Sequence, residues 1–507
     1  MKTELLVGIT TAAFFIVYFL TRARCRKQNK RPVKPGTVVL HQFLPSPLSL
    51  SGSPPCLKLE TFLRMAKIPY ESRYGLKFSK KGKIPWIEFN EEEIADSNFC
   101  IRFLRNEFKV DVDCSHLSDA EKGLAHSIQT TLEENTALFY YRFFSPDYAM
   151  YTRMQLFGHF SWPLRYLIFY VIQKRCRRDV WSQGIGRHSE QEIYEIAERD
   201  LLAASAVLGE KKFLFGDKPC LADAVLFAFV ACASWIKQRT TCNLTKMQIF
   251  KKKKIAAKRE TLILHQFAPT ELSVSGSPPC LKLETFLRMT KIPYRNDHRL
   301  KFSKKGKMPW IEFNEQEIAD SNFCIHFLKR EFKVDIDSHL NETEKAIAHS
   351  VRTMLEENTY WALVYCRWLS AFGKEYRRKL FTKKFGHLVF PLKHLIAHQI
   401  TKKIKQDLWG HGMGRHSEQE LYGIAQRDLL AVSEILGQKK FLFGDKPCLA
   451  DAALFAFIAA SAWDLPKSPF DELIETKAQN LHTHAQRMKE LYYPDWDEII
   501  SRNTNLV

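Results

Sequence analysis

Residues 53–65 read Ser53-Pro-Pro-Cys56-Leu-Lys-Leu-Glu-Thr-Phe-Leu-Arg-Met65, and residues 277–289 repeat every letter unchanged. The prolines fall where a first helical turn needs no N–H donors, and Leu57, Leu59, Phe62, Leu63 and Met65 supply a buried face, so the stretch predicts a helix. Upstream, Val38-Val-Leu-His-Gln-Phe43 is a short apolar strand. Downstream, Ile68-Pro-Tyr-Glu leads into a second strand. Ile84-Pro-Trp-Ile-Glu-Phe89, the charged turn Glu91–Glu93 and Ile94-Ala95 predict a hairpin. Asp96-Ser-Asn-Phe-Cys-Ile-Arg-Phe-Leu104 opens another helix. From Ser118 to Trp235 the periodicity is helical, with loop signals at Ser145-Pro146, Gly184-Ile-Gly186 and Gly216-Asp-Lys-Pro219. The result is an α/β module followed by an all-helical module.

That unit occurs twice. Val38–Asp113 and Leu262–Asp337 align without a gap, 58 of 76 positions being identical, and the match runs on through Trp235 and Trp463. A repeat of roughly 200 residues is a duplicated globular unit, far too long for a solenoid. The expected division is a membrane anchor and basic flank at 1–35, an α/β module at 36–114 and a truncated helical module at 115–236. A basic linker at 237–260, a second α/β module at 261–338 and a second helical module at 339–497 follow. Copy two continues to a final amphipathic helix near Glu472–Leu491 and to Tyr492-Tyr-Pro-Asp-Trp496, which copy one lacks. Copy one is therefore less stable or borrows that helix, and a mistaken gene fusion would read the same.

The 507 residues carry a formal charge of +20. Arg22–Lys34 holds seven basic and no acidic residues, and Lys237–Glu260 holds nine basic and one acidic, so most of the excess belongs to a flank and a linker. A fold that reads nucleic acid specifically is thereby excluded, and only the linker keeps a non-specific attraction for RNA or acidic lipid. The 12 cysteines form no CxxC pair and no Cys/His spacing, so neither a metal site nor a disulfide framework is expected. Leu5–Leu20 is an apolar run followed at once by Arg22, Arg24, Arg26 and Lys27. A secretory signal competes, but no small-residue cleavage site follows Leu20 and the charge lies after the run. The reading is a single-pass anchor at residues 5–20 with the bulk facing the cytosol. A span this short suits a thin membrane such as the mitochondrial outer one. The sequons at Asn243 and Asn341 then stay bare.

Leu40-His-Gln-Phe, Ser53 to Met65, Lys83-Ile-Pro-Trp-Ile-Glu, Gly184-Ile-Gly-Arg-His-Ser-Glu-Gln-Glu-Ile-Tyr and Leu221-Ala-Asp-Ala-Val-Leu-Phe all recur in copy two. In this order they resemble a glutathione-transferase fold, a thioredoxin-like module followed by a helical bundle. More narrowly they resemble the failed axon connections family, related to the metaxins. The resemblance implies two such units in tandem behind a transmembrane helix.

Ser53, Cys56, Ser277 and Cys280 stand at helix N-termini, where N–H groups and the helix dipole lower a thiol pKa. The resemblance puts Ser53 near the nucleophile-activating residue of some transferases, and Cys56 near the second cysteine of a redox pair whose first member is missing. A plainer reading has the serines as helix caps and the cysteines as core. Ile84-Pro85 and Met308-Pro309 match the cis-proline loop that meets the cysteinyl part of glutathione. Asp96-Ser97 and Asp320-Ser321 match the acidic-Ser pair that holds its γ-glutamyl end, or else are ordinary N-caps. Asp223 and Asp451 match a capping box weakened by Cys220 and Cys448, where the family has Ser or Thr. His411 and His416 read as a solvated loop.

Three functions follow as expectations. The first is a membrane-tethered, non-catalytic binding or adaptor module with a link to axonal development, needing no cofactor and working through an unidentified protein partner. The second is an active glutathione-dependent transferase, and the third a metaxin-like component of mitochondrial outer-membrane protein import. Transferase folds commonly pair, so the two copies are expected to pack on each other within the chain.

Overall fold

The computed structural model describes residues 34, 36–43, 51–75, 77–113, 116–134, 140, 143–157, 160–237, 261–385 and 392–504. The anchor at 5–20, its basic flank, the linker beyond Lys237 and the Asn243 sequon lie outside the described residues. Among the described residues, no helix is long and apolar enough to cross a membrane. The chain divides into two compact units, Met1–Val112 with Phe227–Arg239, and Asp113–Leu226 with Thr240–Val507.

The first unit holds β1 (Val38–Gln42), α1 (Pro54–Met65), β2 (Tyr70–Tyr74), β3 (Trp86–Phe89), β4 (Glu92–Ala95) and α2 (Ser97–Phe108). The strand order is β2-β1-β3-β4; β1 and β2 are parallel and the other pairs antiparallel. Every residue of β1 is buried, so Val38-Val-Leu40 is apolar without alternation, and the polar His41 and Gln42 are buried as well. The hairpin is tighter than Glu91–Glu93 suggests. Its turn is Asn90-Glu91, at φ 47° and 68°, and Glu92 and Glu93 are already paired strand residues. Besides its apolar face, α1 buries Lys58 and Glu60, and Glu60 Oε2 accepts from Gln42 Nε2 at 3.0 Å. Buried charge is stable only when partnered in this way.

The second unit opens with helices of copy one: α3 (Asp119–Glu134), α4 (Pro146–Phe157), α5 (Leu164–Gln183), α6 (Glu190–Leu208) and the start of α7 (Leu221–Lys237). Copy two follows with β5 (Leu262–His265), α8 (Pro278–Met289), β6 (Tyr294–Asp297), β7 (Trp310–Phe313), β8 (Gln316–Ala319) and α9 (Ser321–Phe332). Its sheet repeats the same order, β6-β5-β7-β8. The helical part comprises α10 (Glu342–Thr353), a π-helical turn at Met354–Thr359, α11 (Tyr360–Trp368), α12 (Lys374–Phe385), α13 (Leu392–His411), α14 (Glu418–Leu436) and α15 (Leu449–Ile458).

The expected single terminal helix is three. Ala478 separates α16 (Pro469–Lys477) from α17 (Gln479–Tyr492), and α18 (Trp496–Thr504) begins at the tryptophan expected to end the tail. Nor are the caps weakened by cysteine. Asp451 Oδ2 accepts from the Cys448 N–H at 2.8 Å, and Oδ1 accepts from the Leu442 N–H at 2.9 Å. The same carboxylate lies 2.8 Å from His484 Nε2 on α17, so a fully buried box is braced from three sides. Asp223 makes the two equivalent backbone bonds, at 2.9 and 2.8 Å.

Within this unit the helices of the two copies interleave reciprocally. α3 lies along α14 while α10 lies along α6, and α5 packs on α13. His126 Nε2 meets Asp428 Oδ1 at 2.7 Å, and His349 Nε2 meets Asp200 Oδ1 at the same distance. Asp428 is fully buried and also accepts from Asn358 and Thr359, which the π-helical turn presents.

Candidate functional site

The stretches singled out in the sequence form two places in copy two. At the first, Ser277 is the N-cap residue of α8 by backbone conformation, but its side chain makes no cap hydrogen bond, and Ser53 in copy one is the same. The expected serine cap is therefore absent: each hydroxyl is turned to the cysteine three residues on. Cys56 and Cys280 are completely buried. Burial pushes both thiols up to about 11, and the neighbouring serine hydroxyls only partly oppose it. A thiol held there is almost wholly protonated at neutral pH and is no nucleophile.

The chain entering α8 is sealed from above. Arg367 of α11 is buried and donates to the carbonyls of Gly276 and Ala460. It lies 3.4 Å from Asp464 Oδ2, whose other oxygen accepts from Thr270 Oγ1 at 2.6 Å. Burial raises the Asp464 carboxyl to about 6, against the lowering effect of Arg367 and Thr270. A guanidinium thus fills the ground beside the residue proposed to activate a thiol.

At the second place, the Ile84–Pro85 and Met308–Pro309 bonds are cis. Asp96 and Asp320 cap α2 and α9, each accepting from the N–H two residues on at 3.0 Å, while Ser97 and Ser321 are buried. Both aspartates have φ near +80°, a conformation costly for a residue with a Cβ. Lysines hold them there: Lys83 Nζ reaches Asp96 Oδ2 and Lys307 Nζ reaches Asp320 Oδ2, each at 2.7 Å. Burial would raise the Asp320 carboxyl, but the charges of Lys307, His188 and Lys282 outweigh it and hold it well below the usual range.

Around Asp320 opens a cavity of about 100 Å³, lined by both copies. Copy two contributes Lys307, Asp320, Asn322, Arg352, Glu356 and Glu357, and copy one contributes Gly184, His188, Arg199 and Asp200. Gly184 turns the chain at φ 98° between α5 and the short 3-10 turn that presents His188. Lys307 Nζ lies 2.6 Å from His188 Nε2, and Lys305 Nζ bonds both Glu192 oxygens at 2.6 and 2.7 Å. Arg352 donates to His349 Nδ1 at 3.0 Å. Arg199 bonds His326, and burial together with Arg199 and Arg352 pushes that imidazole down to about 3. Lys282, fully buried on α8, donates to Glu356 at 2.6 Å and to Asn322 at 2.9 Å. Glu357 stands exposed at the edge of the cavity, and desolvation of its carboxyl raises it to about 7 against the lowering effect of Lys307.

Of the cavity residues the sequence marked Asp320, the Lys307 segment, the stretch from Gly184 to His188 and His411. His411 and His416 are not in a solvated loop. Both side chains are buried, His411 against Trp361 with ring centroids 4.6 Å apart. Lys282, Arg199, Arg352 and Glu357 were legible only as helix polar positions. Among the described residues no cluster could hold a metal ion, and the described cysteines are buried. Five carboxylates, Glu134, Asp200, Asp320, Glu356 and Glu357, and three cations, Arg199, Lys307 and Arg352, line the cavity.

A family model of the glutathione S-transferase N-terminal domain matches residues 54–148 and again 278–372. That of the glutathione S-transferase C-terminal domain matches 197–254 and 425–488. Failed axon connections of Drosophila melanogaster is 34% identical over 275 residues. The chain is a tandem duplication of glutathione S-transferase-like units, similar to failed axon connections and to the metaxins. The match with the Drosophila protein covers 50% of this chain and 63% of that one. The isoprene-epoxide–glutathione S-transferase of Rhodococcus is 29% identical over 193 residues, covering 38% of this chain and 79% of the enzyme. A metaxin-2 homolog of Caenorhabditis elegans is 28% identical over 182 residues, covering 34% of this chain and 76% of its own. A beta-etherase of Sphingobium overlays at a TM-score of 0.34 and 14% identity, covering 48% of this chain and 100% of the etherase. That overlay carries no part of the assignment.

Proposed function

We propose that this glutathione-transferase-like chain is a non-catalytic binding or adaptor protein. In this reading residues 5–20 tether it to a membrane with its bulk on the cytosolic side, and it serves axonal development as the name of its Drosophila relative suggests. The observation that carries the non-catalytic part is the sealed entry to α8. Arg367 occupies the Gly276 carbonyl, and the nearest thiol is buried and protonated. The γ-glutamyl end supports it, since the Asp320 carboxylate is already taken by Lys307. The reciprocal bonds of His126 and His349 support the pairing of the two copies inside one chain.

Calorimetric titration of glutathione into the full chain tests this. We expect no heat of binding up to millimolar ligand. Micromolar binding abolished by Pro309→Ala would restore the transferase reading, which the Rhodococcus relative favours. The metaxin relatives favour a second reading, a component of mitochondrial outer-membrane protein import. Fractionation of cells decides it: enrichment with mitochondria and co-purification of import machinery would replace the adaptor reading.

A further inference from the structure

The helical hairpin of α4 and α5 is apolar on both sides. Inward, Phe169 and Cys176 join Phe143 and Phe157 in a small core. Outward, Trp162 is 71% exposed, Tyr170 62% and Val171 59%, and Tyr166, Leu167 and Met154 are also exposed. Residues 166, 167, 170 and 171 share one helix face, so this is a continuous stripe and not scattered single side chains. One helical turn further the same face turns basic, with Lys174, Arg175, Arg177 and Arg178 all exposed. Arg153 stacks on Tyr166, 3.9 Å from its ring centre, keeping a cation at the edge of the stripe.

Copy two places a similar hairpin beside it. α13 packs on α5, with Leu392 and Leu395 exposed and Lys402, Lys403 and Lys405 following. The groove between the two helices, about 630 Å³, is walled by Arg178, His398, Lys402, Lys405 and Trp409, with Asp179 the acidic exception. Aromatic residues at the border of an apolar face, followed by a basic run, are what a helix needs to lie in a headgroup layer. The basic run also opposes the other plain occupant, a second copy of this chain, because two such faces repel each other.

We infer that the α4–α5 hairpin, with the adjoining face of α13, is the surface that this protein lays on an anionic phospholipid bilayer. The apolar stripe enters the interface and the lysines and arginines meet the headgroups. This rests on the membrane tether proposed above and adds which face of the body turns to the lipid.

The test is hydrogen exchange of the full chain reconstituted into vesicles of phosphatidylcholine, with or without phosphatidylserine. Retention after alkaline carbonate extraction serves as an independent readout of the tether. Amides of residues 160–175 are expected to exchange about tenfold more slowly with phosphatidylserine present. The variant Tyr166→Glu/Leu167→Glu/Tyr170→Glu should lose that protection while keeping the circular dichroism and the carbonate resistance of the parent. Equal exchange in both vesicles, with the chain retained, would overturn the docking surface and leave the tether standing. Release of the chain by carbonate would overturn the tether, and the docking surface with it. Protection in detergent without lipid, rising with protein concentration, would overturn the assignment in favour of a second copy.

Discussion

Buried charge decides the behaviour of single residues in this protein. Lys282 and Glu356, Lys307 and Asp320, and Lys305 and Glu192 each neutralise one another at 2.6–2.7 Å, so their cost of desolvation is met by direct partners. Glu357 is exposed at the rim of the same cluster, yet desolvation of its carboxyl, with the nearby charges of Glu356, Asp320 and Asp200, raises it to about 7 against the lowering effect of Lys307. Its unfolded value lies near 4.3, so between about pH 4.3 and 7 the folded chain holds a proton that the unfolded chain has lost. The contribution of this group to stability therefore falls as pH rises through that window, and above it the full penalty remains. Glu357→Gln removes the penalty. Thermal melts should place the variant above the parent at pH 8, with the two curves converging toward pH 5. A variant melting below the parent at pH 8 would mean that the carboxylate has a partner.

Among the elements, the two capping boxes offer a matched comparison. Asp451 and Asp223 satisfy equivalent pairs of backbone donors, but among the described residues only Asp451 also meets a histidine, supplied by α17. Leaving buried donors unpaired costs about 1–3 kcal/mol each when the site cannot admit water. Urea melts should therefore show Asp451→Ala losing about 3 kcal/mol and Asp223→Ala about 2 kcal/mol. Equal losses would mean that His484 adds nothing. The boxes also mark how far sequence reading reaches. Asp at the fourth position is visible in the sequence, whereas its strength comes from donors that arrive from elsewhere in the fold, the Leu442 N–H and His484, which the neighbouring Cys448 does not reveal. The same holds for the site. Asp320 and the cis-proline loop are written in local motifs. Lys282 and Glu284 sit inside an apolar helix pattern as apparent surface positions, and only the packing of α8 against its neighbours buries them. Arg367 carries no local signal at all, since its partners lie 91, 93 and 97 residues away.

At the scale of the molecule, the duplication was plain from the repeat, but the exchange of helices was not. Because α3 and α6 of copy one lie against α14 and α10 of copy two, residues 260–507 are not a free-standing copy. Expressed alone, that fragment exposes the faces of α10 and α14 that α6 and α3 cover in the full chain, and α3 and α6 are the copy-one counterparts of α10 and α14. It should dimerise by using a second fragment as copy one. Light scattering coupled to gel filtration checks this; a stable monomer would mean that the interleaving adds little.

The central claim is that this duplicated transferase fold no longer performs transferase chemistry, and glutathione-dependent turnover tests it most directly. The full chain in detergent, with millimolar glutathione and chlorodinitrobenzene at pH 7, should give a rate equal to the uncatalysed reaction, unchanged by Ser277→Ala or Ser53→Ala. A rate well above that background and abolished by either serine substitution would contradict the account.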